Sequence, residues 1–343
     1  MKSLIISAGL VFFSLNVMAQ LEEINGGPVN VPAEGIVDGV YIQEHIPTKR
    51  MIPYEYVREA DVIWSRRVWE YIDLREKINL PLYYPLDEIT SSGEWVRNGS
   101  RWSLWTVLRY HVMNGNLRLF SPYNPLSFGF GLGGKDGDQL KYPIDPSQPG
   151  LNFYTDSLYR EELSIYLGTL GAQSDIPLTD ENGDQIVITL PDGTQSFTYS
   201  PRDTIWYTSQ DIVQYRIKED WFFDKERSVL DVRIIAIAPV VYTVEEDPNG
   251  KKTISGMREL FWLYFPHCRF VLNNYFVYND ANDAQWMSFD DLFWKRRFSS
   301  MMYKESNTYD RNIESYRTGT DALRESDKIK EEIRTLEHDV WSF

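Results

Sequence analysis

Gly129-Phe130-Gly131-Leu132-Gly133-Gly134 spells a G-x-G-x-x-G pattern, whose familiar chemistry is the seating of a dinucleotide pyrophosphate. That chemistry needs a strand before the glycines and a helix after them, so that phosphate meets the free N–H groups of a helix start. Here Lys135-Asp136-Gly137-Asp138 follows, then Pro143 and Pro146, which open no helix; the stretch reads as a flexible loop. Asp180, Asn182 and Asp184 begin like a calcium loop. Gln185, however, stands where the tight-turn glycine belongs, and Pro191 where the bidentate Glu should be, so a polar turn is the better reading. His267-Cys268 raises the question of a thiolate nucleophile. The pair lies in the aromatic run from Phe261 to Phe270, which reads as a buried strand, and a free Cys there behaves as a small hydrophobe. His45, His111, His267 and His338 lack metal-ligand spacing, and neither G-x-S-x-G nor H-E-x-x-H occurs. Carboxylate pairs for glycoside hydrolysis stay open, because a sequence does not show which acids face each other. No catalytic residue, metal site or cofactor is read from the chain.

The remaining signal is for binding. Asp61-x-x-Trp64-x-Arg66-Arg67-Val68 recurs as Asp291-x-x-Trp294-x-Arg296-Arg297-Phe298. Read as helices, both copies put Trp and the second Arg on one face, where a guanidinium can stack on an indole. Trp and Arg often dominate interface energy, so Trp64, Arg66, Arg67, Trp69, Trp294, Arg296 and Arg297 are the candidate partner interface. Their alternative role is core packing and surface charge.

These residues need elements to position them. Residues 20–52, rich in Gly and Pro, read as an extended N-terminal arm. After Pro53 the spacing of Val57, Ala60, Trp64, Val68, Tyr71 and Ile78 predicts a helix to about Ile78, with Arg66–Glu70 and Asp73–Lys77 as i,i+4 pairs. A second helix is predicted from Ser103 to Asn114, stopping at Gly115, and then a long loop to Gly150. Residues 186–190 and 196–199 form a hairpin about Pro191-Asp192-Gly193-Thr194. Asp211 to Glu226 fits neither period. Val229 to Val244, Ile254 to Phe265 and Arg269 to Tyr278 read as antiparallel strands, with a turn at Asp247-Pro248-Asn249-Gly250. Ser288 and Asp291 form a capping box for a helix running to about Lys304. The fold class is therefore α+β: a central antiparallel sheet with flanking helices in a globular domain over 53–306. A charged tail over 307–343 follows, helical or flexible, with Leu323, Ile329, Ile333, Leu336 and Val340 as a thin apolar stripe.

Composition bounds the partners. With 50 acidic and 35 basic residues the net charge is −15, which argues against nucleic acid and against a basic face on anionic membrane. Aromatics make 15% of the chain, an excess suited to contact surfaces as well as to packing. Met1-Lys2, an apolar run from Leu4 to Leu15 and Val17-Met18-Ala19 have the layout of a secretory signal peptide over 1–19, cleaved after Ala19. The run is too short for a membrane span of ~20 residues. Cys268 is the only cysteine, so no intrachain disulfide forms.

The block Val62-Ile63-Trp64-Ser65-Arg66-Arg67-Val68-Trp69-Glu70-Tyr71-Ile72-Asp73-Leu74-Arg75-Glu76-Lys77-Ile78-Asn79-Leu80-Pro81-Leu82-Tyr83-Tyr84-Pro85 resembles the signature stretch of the GldN/PorN family. These are periplasmic components of the type IX secretion and gliding-motility machinery of Bacteroidota, and the resemblance extends over the mature chain. It implies a structural, ring-forming role at the periplasmic side of the outer membrane. The partners it implies are further copies of the chain, the lipoprotein GldK/PorK and the periplasmic part of the motor subunit GldM/PorM. It carries no catalytic residues. The rival expectation, from the aromatic supply alone, is a periplasmic glycan-binding module or glycan hydrolase.

Overall fold

The computed structural model describes residues 51–124, 137–171, 177–179, 185, 187–189, 195–199, 203–246, 252–282 and 285–341. The expected signal peptide at 1–19, the expected arm up to residue 50, the glycine pattern at 129–134, the acidic stretch at 180–184 and the expected turns at 191–194 and 247–250 lie outside them.

The fold is α+β. Eight strands make the main sheet: β1 (Val62–Asp73), β2 (Leu119–Phe120), β3 (Pro143–Ile144), β4 (Ile212–Asp224), β5 (Val229–Glu246), β6 (Lys252–Glu259), β7 (Trp262–Tyr264) and β8 (Met301–Glu305). Their order is β8-β1-β4-β5-β7-β2-β3, with β6 also on β5, and the pairings given for them are antiparallel. Among the described residues six α-helices accompany it: α1 (Leu80–Tyr83), α2 (Leu104–Met113), α3 (Ser157–Leu167), α4 (Phe265–Leu272), α5 (Phe289–Trp294) and α6 (Thr320–Trp341).

Several boundaries follow from local chemistry. Ser103 caps α2 by accepting from the Thr106 N–H, and Gly115, at φ +72°, supplies the left-handed residue just past its end. Asp156 accepts from the Leu158 and Tyr159 N–H groups and starts α3. The Ser288–Asp291 capping box is present at α5. That helix ends at Trp294, and the chain returns to the sheet as β8 instead of continuing to Lys304.

Three sequence expectations are corrected. Residues 62–73, expected to be helical, form the strand β1, with β4 on one side and β8 on the other. The expected i,i+4 pairs are replaced accordingly: Arg66 meets Glu305 and Glu332, and Asp73 meets Arg75. Phe265 to Leu272, expected within two strands, is the helix α4, with Pro266 in its first turn. The residues from 211 to 226 that fitted no period are mostly the strand β4, and α3 was not anticipated at all. The hairpin is present as 187–189 paired with 195–197.

Strand alternation explains the layering. Trp64, Arg66, Val68, Glu70 and Ile72 share one face of β1, opposite Phe223, Trp221, Glu219, Ile217 and Tyr215 of β4. At the Ile72 end this face carries the large core, where Tyr215, Ile217 and Ile237 pack with Trp105 and Leu108 of α2, Leu163 of α3, Phe265 of α4 and Phe293 of α5. At the Trp64 end it carries a second cluster, in which Val68, Met302 and Ile313 are covered by Ile329 and Ile333 of α6. The charged tail is thus an amphipathic helix docked on the sheet: Ala322, Ser326, Ile329 and Ile333 recur at helical spacing. Ser326 Oγ accepts the Met302 N–H, which satisfies a donor of β8 at the sheet edge.

Truncating Ile329 to Ala removes a side chain that is 2% exposed, at a cost of about 2–5 kcal/mol. The expected readout is faster amide exchange across 320–341 while β1 and β4 stay protected, measured by hydrogen–deuterium exchange with mass spectrometry.

Candidate functional site

The seven candidate interface residues divide according to how far their own fold has already engaged them. On β1, Arg66 lies over the Trp64 ring at 5.6 Å and donates to Glu305 at 3.2 Å and Glu332 of α6 at 3.3 Å. It ties the last helix to the sheet. Arg67 points to the opposite face and makes a two-pronged contact with its cross-strand partner Asp220, at 2.5 and 2.7 Å, with 46% of its side chain exposed. Trp69 is buried: its indole N–H donates to Asp138 at 3.0 Å, and the Lys218 and Lys304 ammoniums lie 5.6 and 4.7 Å from its ring. Asp138 is held there by a close approach at Gly137, where any Cβ would overlap the Pro122 backbone.

The second copy of the motif has a different backbone. Asp291 is a helix cap, Trp294 ends α5, and Arg296 sits at φ +47° in the turn beyond. The shared helical face expected for both copies is therefore absent from both. Trp294 is 48% exposed. Arg297 donates to Asn279 at 3.0 Å.

Arg296 leads to a cluster that no spacing announced. Its guanidinium donates to Glu219 at 2.7 Å and to Glu70 at 3.3 Å, and it lies 5.2 Å from the Trp221 ring and 5.1 Å from Phe298. Glu219 is 0% exposed and Glu70 1%. The two acids are diagonal neighbours on one sheet face, since Val68 is opposite Glu219 and Glu70 opposite Ile217. Trp221 donates to Glu219 at 3.2 Å and Ser300 Oγ to Glu70 Oε2. Glu70 Oε1 has no hydrogen-bond partner. Burial, and then the Glu70 charge, push the Glu219 carboxyl up to about 7 against the pull of Arg296. Of these residues Glu70 and Arg296 line a cavity of about 420 Å³ between the sheet and α6.

A second cluster fixes residues 52–55, at the start of the described chain. Arg269 of α4 is 2% exposed and pairs with Asp290 at 2.7 and 3.1 Å. Its other nitrogen donates to the Ile52 carbonyl at 2.8 Å, and its plane lies 4.4 Å from the Tyr54 ring and 4.8 Å from Trp294. Tyr54 in turn stacks on Trp294 at 5.5 Å, and Arg233 donates to the Glu55 carbonyl. Two arginines therefore hold the backbone carbonyls of Ile52 and Glu55. The Trp of the motif was visible in the sequence; its partners Tyr54 and Arg269, 240 and 25 residues away, were not.

The remaining chemical candidates are structural. Cys268 is buried, with its thiol pushed up to about 12 by burial. His111 is buried between Tyr275 and Asn116 and pushed down to about 4 by that burial. Among the described residues no group of three or more His, Cys, Asp or Glu could hold a metal ion, and no helix is long and apolar enough to cross a membrane.

Removing Arg269 leaves Asp290 charged in the interior. Arg269→Ala is expected to cost about 3–5 kcal/mol in urea denaturation and to open 51–56 to limited proteolysis. For Glu219 the folded state holds its proton more tightly than the unfolded chain does. Its stabilising contribution is complete below its ordinary value of 4.5 and is lost as pH rises through about 7. Glu219→Gln has no such proton. Its denaturation midpoint should therefore rise relative to the parent protein's between about pH 5 and about pH 8.

Comparison with known proteins agrees with the resemblance of the β1 block. No curated protein matches the chain. A family model described as "Gliding motility associated protein GldN" matches residues 57–342, a span that takes in the whole main sheet and all six α-helices. The chain belongs to the GldN family and thereby to the machinery of gliding motility and type IX secretion.

Proposed function

We propose that this protein is a non-catalytic structural subunit of a periplasmic ring that supports type IX secretion and gliding. Copies associate head-to-tail and close into the ring, which calls for two non-identical faces on each subunit. An outer-membrane lipoprotein of the GldK/PorK type fixes the ring at the membrane, and the periplasmic part of a GldM/PorM motor subunit contacts it. Family membership over 57–342 supports the machine. The observation that carries the contact surface is the arm root: a half-exposed Trp294 stacked on Tyr54, beside Arg269. An aromatic already held by a neighbouring ring and a buried guanidinium loses little side-chain freedom when a partner covers it.

Among the seven candidates, Trp294, Arg67 and Arg297 retain the accessible surface an interface needs. Arg66, Trp69 and Arg296 contribute by shaping the domain. Reversing Arg66 would disturb α6 through Glu332, so it reports on folding and not on assembly. Trp294→Ala and Arg67→Ala are the sharper variants, because the Arg67–Asp220 pair is exposed and contributes only ~0–1 kcal/mol. Trp294→Ala should reduce co-purification with the lipoprotein by at least about tenfold, ~1.4 kcal/mol, with an unchanged circular dichroism spectrum. Full recovery of the complex from that variant would remove the arm root from the interface.

A further inference from the structure

Two arginines just ahead of α2 have aromatic rings for neighbours and no acid. Arg97 directly follows the short strand Trp95–Val96, and its guanidinium lies 5.2 Å from the Trp95 ring, 4.9 Å from Trp102 and 5.0 Å from Tyr110. Arg101 lies 5.0 Å from the Tyr278 ring. Both arginines are exposed, and among the described residues neither guanidinium has a hydrogen-bond or ion-pair partner. Arg66, Arg67, Arg269 and Arg296, by contrast, each meet a carboxylate.

The segment that carries them is held in place. Asn98 Oδ1 accepts from the Ser100 and Arg101 N–H groups at 2.9 and 3.2 Å, and the Trp102 indole donates to the Asn98 carbonyl at 3.0 Å. Trp102 stacks on Tyr275 at 5.4 Å, and Tyr275, 4% exposed, is hydrogen-bonded to His111 of α2 at 2.7 Å. Rings against a guanidinium take its flat faces, whereas its N–H donors lie in its plane. Those donors are left for a carboxylate, which an arginine fork meets with two parallel bonds. A side chain already held by rings loses little freedom in making them. The chain from Arg97 to Arg101 spans at most roughly 14 Å, so carboxylates on one short segment can reach both forks.

We propose that this surface docks an acidic peptide segment of a partner protein, with carboxylates on Arg97 and Arg101 and an apolar side chain against Tyr278, which is 42% exposed. Charge selects this occupant. On a chain of net charge −15, two guanidiniums without acids are local positive sites in an otherwise negative field. They are too few for a nucleic acid or an anionic membrane, each of which is held by many basic contacts. A short acidic segment needs only these two. The inference does not depend on ring formation.

The experiment is isothermal titration calorimetry of the full-length protein at low salt with the peptide Gly-Glu-Leu-Glu-Leu-Glu-Gly and with its counterpart carrying Gln in place of each Glu. Saturable binding of the acidic peptide, at least about tenfold tighter than the Gln peptide and weakening as salt is raised, is the expected result. Arg97→Gln combined with Arg101→Gln should lose at least about tenfold in affinity with an unchanged circular dichroism spectrum. Arg97→Lys, which keeps the charge but not the planar fork, should lose about as much as Arg97→Gln, a result that surface charge alone would not give. Self-association that the double variant loses would identify a second copy of the chain as the source of the acidic segment. Equal affinities for the two peptides, no saturation at millimolar peptide, or unchanged binding by the folded double variant would overturn the proposal. So would co-sedimentation with phosphatidylglycerol vesicles that the double variant abolishes, which would assign the surface to lipid. The comparison of the two peptides on the unaltered protein needs no variant to fold.

Discussion

Two carboxylates withdrawn from water where β1 and β4 pass under α6, bridged by one part-exposed guanidinium, are the constraint around which the rest of the domain is arranged. Taking each ion out of water costs several kcal/mol, and only close pairing with additional donors offsets it. Arg296 meets both acids from a turn whose φ of +47° is unfavourable for any residue with a Cβ. Backbone strain of this kind persists where the surroundings over-determine it, and here the end of α5, the start of β8 and the sheet all fix the same guanidinium.

The ionic cluster also divides the core. On one sheet face, Ile72, Ile217 and Tyr215 belong to the large cluster, whereas Val68, Trp64 and Trp221 belong to the one under α6. Glu70 and Glu219 lie between the two sets along the strands. An uninterrupted apolar face would let α6 slide along the sheet at little cost. Ion pairs on this face, with Arg66 bridging to Glu332 and Arg296 to both acids, allow few alternative registers for the helix. The same arrangement leaves the second cluster small, so the attachment of α6 rests on a few buried side chains.

That placement explains where sequence reading failed. The covered face of β1 carries Arg66 and Glu70 among its apolar residues, and the opposite face carries Trp69 and Tyr71. Apolar and polar types are therefore mixed on both faces, the period-two signal is lost, and Val57, Ala60, Trp64, Val68 and Tyr71 imitate a helical stripe. The same mixing hid β4, whose inward Glu219 and Trp221 sit beside Lys218 and Asp220 on the other face. Phe265 to Leu272 looked like a strand because its residues are aromatic and β-branched. Packing against the sheet and Pro266 in the first turn overrode that preference. Caps were legible wherever the chemistry is local: Ser103, Gly115 and the Ser288–Asp291 box stand where their residue types place them. Asp156 with Tyr159, Leu163 and Leu167 was an equally good local signal for α3. The functional clusters were not legible, because Glu70, Glu219 and Arg296 come from three distant segments and meet only through strand register.

The position of α6 along the chain bears on how the molecule comes into being. Ribosomal synthesis delivers the N-terminal part first, so β1, β4 and β5 are complete long before residues 320–341 emerge. Until α6 follows, Val68, and then Met302 and Ile313 once they have emerged, have no lid, although in the finished protein each is at most 3% exposed. A nascent chain halted before Gly319 would carry a sticky strip beside the edge strand β8, the kind of surface that chaperones engage.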